Sequence, residues 1–135
     1  MEAMPARLSA LLNQALYLQK RSVRIYEFIA RAAPGEKERE LLQGIRREER
    51  RHYYMLEGIY EELTDQAFHP ERVSFSLPRF YQDMLRTALC DKLAAIDFYE
   101  DLLQQIHCGK KQVFLQLLIE EQKEHARILA ALYDR

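Results

Sequence analysis

Written as apolar and polar positions, the 135-residue chain falls into four stretches whose apolar residues recur every three or four positions. The first carries Leu8, Leu12, Ala15, Tyr26 and Ile29, and the second Leu42, Ile45, Leu56, Ile59 and Leu63. The third carries Tyr81, Leu85, Ala88, Ala95, Tyr99, Leu102 and Ile106, and the fourth Leu115, Leu118, Leu129 and Leu132. This is the period of a helix with one buried face, and the residues between are largely Ala, Glu, Lys, Arg and Gln, all good helix formers. Pro34-Gly35 interrupts the first stretch and His107-Cys108-Gly109 the third. The pattern predicts helices over 6–33, 36–63, 78–106 and 110–134, with the aperiodic TDQAFHPERVSFSL at 64–77 between the middle two.

Loop length turns these helices into a topology. The short breaks force antiparallel hairpins over 6–63 and 78–134, whereas 64–77, if extended, reaches about 45 Å, the length of a 28-residue helix at about 42 Å. Helices 2 and 3 then run parallel, and the expectation is an all-α four-helix bundle, up-down-down-up, in a single domain over 1–135. Neither hairpin alone could bury its apolar face. Sliding the chain by 73 residues also superimposes one hairpin on the other, with twelve identities in the forty-nine pairs of 12–60 against 85–133. Ordinary composition gives roughly three. Tyr26 meets Tyr99, Glu27 meets Glu100, Glu48 meets Glu121 and His52 meets His125, so the halves read as a duplication.

Each apolar seam is interrupted near its midpoint. Continuing the spacing of three and four places Gln19 on helix 1, Glu49 and His52 on helix 2, Lys92 on helix 3, and Gln122 and His125 on helix 4. Under the repeat, Gln19 pairs with Lys92 and Glu49 with Gln122. A lone histidine on an apolar face is ordinarily a hydrogen-bonded core residue. Six polar positions at one height are different, because burying them costs free energy unless they satisfy one another or hold something. Tyr26 and Tyr99, seven residues beyond Gln19 and Lys92, read as packing residues able to reach that layer with a hydroxyl.

Charge and composition exclude other chemistry. Lys and Arg number 20 against 21 for Asp and Glu, a formal net charge of -1 that sets up no field for nucleic acid or a membrane surface. The first residues lack a signal-peptide pattern, and no apolar run reaches a membrane span of about 18 residues, so a cytoplasmic protein is expected. Cys90 and Cys108, placed on one helix about 27 Å apart, are expected to be reduced thiols. Neither belongs to a CxxC pair, and Arg46, Arg47, Arg50 and Arg51 alternate with glutamates as on a solvated face. Apolar residues beyond the seams, such as Leu11, Leu18, Ile25, Phe28, Leu89, Ile96 and Phe98, suggest a homodimer along helices 1 and 3.

The duplicated hairpin, the long crossover and the motif Glu49-Arg50-Arg51-His52 resemble the ferritin-like superfamily, particularly its rubrerythrin-related members. The resemblance covers nearly the whole chain and includes Ala95-Ile96-Asp97-Phe98-Tyr99 and Glu120-Glu121-Gln122-Lys123-Glu124-His125-Ala126. It implies a ferritin-like bundle in which each half supplies a glutamate seven residues before a tyrosine, then a Glu-x-x-His pair, together holding two iron ions. The implied activities are peroxide reduction and oxidation of ferrous iron.

The chain departs from that pattern at three of four carboxylates. Gln19, Lys92 and Gln122 stand where the resemblance calls for glutamates, and only Glu49, His52 and His125 match. Two iron ions carry at least four positive charges, which neutral amides bind poorly and an ammonium repels. The favoured reading is a vestigial di-iron site with no cofactor, in which the Lys92 ammonium is shared by Glu49 and the Gln19 and Gln122 carbonyls. That leaves a structural or interaction role. The competing reading is a metal-dependent oxidoreductase with iron or zinc at Glu49, His52 and His125, aided by Glu121 if it swings onto the His125 face rather than remaining a solvated flank.

Overall fold

Helices form where the apolar period runs. The computed structural model describes residues 6–135, and among these the elements are α1 (Ala6–Ala32), α2 (Glu36–Thr64), α3 (Tyr81–Gln105) and α4 (Gly109–Tyr133), with no strand. Glu36 and Glu38 fill the first turn of α2, where carboxylates complement the helix dipole. The other end of α2 closes at Asp65, whose left-handed backbone (φ 56°) lets its N–H reach the Glu61 carbonyl at 2.9 Å.

Two apolar clusters fix the topology. One joins Leu12 and Leu16 early in α1, Leu56 and Ile59 late in α2, Tyr99 and Leu102 late in α3, and Leu115 and Leu118 early in α4. The other joins Ile25 and Ile29 late in α1, Leu42 and Ile45 early in α2, Leu85 and Ala88 early in α3, and Leu129 and Leu132 late in α4. Only an up-down-down-up bundle brings those ends together. Contacts join α1 to α2 and α3 to α4 within the hairpins, and α1 to α3 and α2 to α4 between them.

The crossover runs from one cluster to the other, with Phe68 packed on the first and Phe75 and Leu77 on the second. It is non-helical over 65–80, so α3 starts at Tyr81 rather than at the predicted 78. Val73, Phe75 and Leu77 are part-buried while Ser74 and Ser76 are exposed, the two-residue alternation of an extended chain, and this packing holds the segment off the helical path. Along α1 the Tyr17 hydroxyl accepts the Ser74 N–H (3.3 Å), Lys20 donates to the Glu71 carbonyl (3.4 Å), and Phe28 meets Phe75 edge to face. Part of the extra apolar width of α1 and α3 is used within the chain: Ile25 and Ile96 are buried, and Phe28 lies against the crossover while remaining 42% exposed.

Cys108 falls past the end of α3 and caps α4, so the two cysteines are not on one helix; both are exposed free thiols. Among the described residues no helix is long and apolar enough to cross a membrane.

Candidate functional site

The six polar seam residues meet in one layer between the two apolar clusters. Gln19 (α1), Glu49 and His52 (α2), Lys92 (α3), and Gln122 and His125 (α4) are each at most 4% exposed. Burial at this level without partners would be prohibitive, so each donor and acceptor has to be accounted for.

Glu49 is the hub. Its Oε1 accepts from the Lys92 ammonium and from His125 Nδ1 (3.1 Å). Its Oε2 accepts from Gln19 Nε2 and from Gln122 Nε2 (3.0 Å), so the four acceptor positions of the carboxylate are filled. Lys92 spends its remaining protons on Gln122 Oε1 (2.5 Å) and Ser22 Oγ (3.4 Å), with its ammonium 5.2 Å from the centre of the Tyr26 ring. Both Gln19 amide protons go to Glu49, one to its backbone carbonyl at 3.0 Å, and Gln19 Oε1 accepts the Tyr99 hydroxyl at 2.6 Å. Burial pushes the Glu49 carboxyl up, but Lys92, the hydrogen bond from His125 and the His125 charge together outweigh it and hold it well below the usual carboxylate range. Burial, and the nearby Glu49 charge, raise both Tyr26 and Tyr99, so both hydroxyls stay protonated and Tyr99 serves as a neutral donor.

The two histidines carry the network outward with the symmetry of the repeat. His52 Nε2 donates to Glu121 (3.0 Å) while its Nδ1 accepts the second Gln122 amide proton (3.3 Å), which assigns a neutral ring. His125 Nε2 meets Glu48 (2.6 Å) while its Nδ1 meets Glu49. Both ring nitrogens of His125 thus face carboxylate oxygens. Glu48 and Glu121 are repeat mates, and each reaches across to the histidine of the other hairpin. Arg51 grips Glu121 from outside (2.7 and 2.5 Å). Between α1 and α3 a cavity of about 40 Å³ touches Lys92, Ser22 and Tyr26 beside the Arg21–Asp91 ion pair (3.1 Å). It has room for roughly two or three waters and none for an organic substrate.

The structure brings together all six seam residues with Tyr26 and Tyr99. It differs from the sequence expectation in two hydrogen bonds. The Gln19 carbonyl accepts Tyr99 rather than Lys92, because the two amide protons of Gln19 are held by Glu49 and its oxygen faces the Tyr99 hydroxyl. Glu121 neither swings to His125 nor stands free as a solvated flank: it is 21% exposed and bonded to His52 on the facing helix. Sequence reasoning assigned no role in the layer to Glu48, Ser22 or Arg51. The signal for Glu48 was present, since it lies four residues before His52, as Glu121 lies before His125, and so shares a helix face with it.

The Glu49 carboxyl also sets an acid response. Its folded pKa lies below the ordinary 4.5, so its contribution to stability is complete above the unfolded value and is lost as pH falls from there toward the folded value. Urea midpoints are expected to drop more steeply below about pH 4.5 in the wild type than in Glu49→Gln; parallel curves would mean Glu49 carries no such contribution.

Comparison with known proteins defines the class by fold. No protein-family model matches the chain, and no curated protein matches it in sequence. Among solved structures, a hypothetical protein from Pyrococcus furiosus aligns with 94% of this chain and 88% of its own at a TM-score of 0.83 and 20% identity. A two-domain protein from Anabaena variabilis, with DJ-1/ThiJ/PfpI-like and ferritin-like domains, aligns with 94% of this chain and 36% of its own at a TM-score of 0.73 and 20% identity. The chain has a ferritin-like four-helix-bundle fold. At these identities the likeness speaks for architecture alone.

Proposed function

We propose that this chain is a rubrerythrin-related ferritin-like protein whose di-iron centre has been replaced by a buried ion pair between Lys92 and Glu49, leaving a structural or interaction role. The observation that carries the reading is the saturated hydrogen bonding of the layer: Glu49 takes four donors, and Lys92 places all three protons on oxygen. Nothing in this set asks for a cation to complete it, and the ammonium occupies the place where a cation would have to approach Glu49. A pair of iron ions does not fit these residues. Among the described residues, no group of three or more His, Cys, Asp or Glu side chains is arranged to hold a metal ion.

The outer ring favours one specific competitor. Each histidine receives a carboxylate at Nε2 and turns Nδ1 inward, the arrangement that orients imidazoles toward a metal. A mononuclear iron or zinc site at Glu49, His52 and His125, with Glu121 behind His52, is the corresponding oxidoreductase reading. Elemental analysis of purified protein decides between the two. Less than about one-tenth metal per chain is expected. One bound ion per chain favours the oxidoreductase, and two irons per chain overturn the proposal.

A further inference from the structure

The groove between the end of α1 and the start of α2 holds unbalanced positive charge. A cavity of about 410 Å³ is lined there by Glu27, Ala30, Arg31, Arg39, Gln43 and Arg46. With the groups that pair with its lining included, four guanidinium groups (Arg24, Arg31, Arg39, Arg46) meet two carboxylates (Glu27, Glu36), an excess of two. Glu27 bonds Arg31 Nη2 at 3.1 Å and lies 4.0 Å from Arg46 Nη2 and 3.9 Å from Arg24 Nε, so one carboxylate faces three arginines. Arg39 is anchored by Glu36 (2.9 Å) and the Ala33 carbonyl (3.3 Å). Arg46 Nε is buried without a hydrogen-bond partner among the described residues. Gathering guanidinium groups in one groove is unfavourable unless something answers their charge.

The duplication supplies an internal control. At the 73-residue offset, Glu27 corresponds to Glu100, Arg31 to Gln104, Arg39 to Gln112, Gln43 to Gln116 and Arg46 to Ile119. The second hairpin thus builds the same helix pair with no arginine at these places: Ile119 packs in the core at 5% exposure, and Glu100 is met by Lys123 at 3.7 Å. Packing of the hairpin therefore does not call for guanidinium groups.

We infer that the α1–α2 groove binds a small phosphate-bearing anion with two or more negative charges. Guanidinium forks match phosphate oxygens two at a time, which a single carboxylate cannot do for three arginines. The cavity lies within the range of about 300–1,000 Å³ that small-ligand sites occupy and exceeds what a bare monovalent ion needs. Glu27 holds the forks in place while leaving their excess charge to the ligand.

Calorimetric titration of the full chain with pyrophosphate at low ionic strength tests this. Saturable binding near one per chain is expected, with inorganic phosphate weaker. Arg39→Gln with Arg46→Ile, the residues of the second hairpin, is expected to weaken binding roughly tenfold or more. Arg39→Lys with Arg46→Lys, which keeps charge and removes the forks, is expected to weaken it several-fold and stands in should the first variant not fold. Arg72→Gln with Arg127→Gln, the same charge change elsewhere, should leave it unchanged. No saturable binding by the wild type, or equal weakening by the control pair, overturns the assignment.

Discussion

Lys92→Met is expected to destabilise the protein by about 3–5 kcal/mol, because it removes one partner of a buried pair and leaves the Glu49 carboxylate uncompensated. Lys92 and Glu49 are 4% and 0% exposed and directly bonded, so water cannot take over the lost charge. The same change strips Gln122 Oε1 of its donor. Against a typical total of about 5–15 kcal/mol, this is a large fraction of stability. A second substitution, Glu49→Leu, removes the orphan charge, but the structure limits the rescue: Gln19, Gln122 and His125 then lose their acceptor. Recovery is therefore expected to be partial, with a coupling energy in the double-mutant cycle still above about 1 kcal/mol. Were Lys92 instead to reach solvent between the helices, the single change would cost below about 1 kcal/mol and coupling would vanish. Urea denaturation of the four proteins measures both quantities, and coupling near zero would remove the ammonium-for-metal reading.

Restoring the carboxylates should create a metal centre. The variant Gln19→Glu, Lys92→Glu, Gln122→Glu places four carboxylates and two inward Nδ1 atoms in a layer whose outer nitrogens are already oriented by Glu48 and Glu121. Metal-free, it is expected to be less stable than the wild type, since four like charges would share a buried layer. Anaerobic titration with ferrous iron is expected to show cooperative uptake of two ions per chain. Metal at about 100 times its dissociation constant would return about 2.7 kcal/mol. A folded variant that takes up no iron would mean that these six positions do not converge as the hydrogen bonds place them.

Much of the architecture was legible because one physical signal dominated it. Periodicity located all four helices to within about three residues, since burial of a continuous apolar stripe outweighs local propensity over such lengths. The start of α3 was misplaced because Pro78 suits a helix start, whereas the extended packing of Phe75 and Leu77 was a tertiary matter. Seam spacing also found the six polar residues, because a polar side chain on a buried stripe can point nowhere but inward.

Partnership within the layer lay beyond spacing. The sequence by itself determined which residues face the axis and at what height, through helical period and the 73-residue repeat. Only the tertiary structure decided who bonds whom: that the Gln19 carbonyl takes Tyr99 and not Lys92, that Glu48 and Glu121 cross between hairpins, and that Ser22 receives the third lysine proton. Such choices turn on displacements of about 1 Å, the difference between a hydrogen bond and none. Those displacements are set by how four helices pack together rather than by the spacing along any one of them.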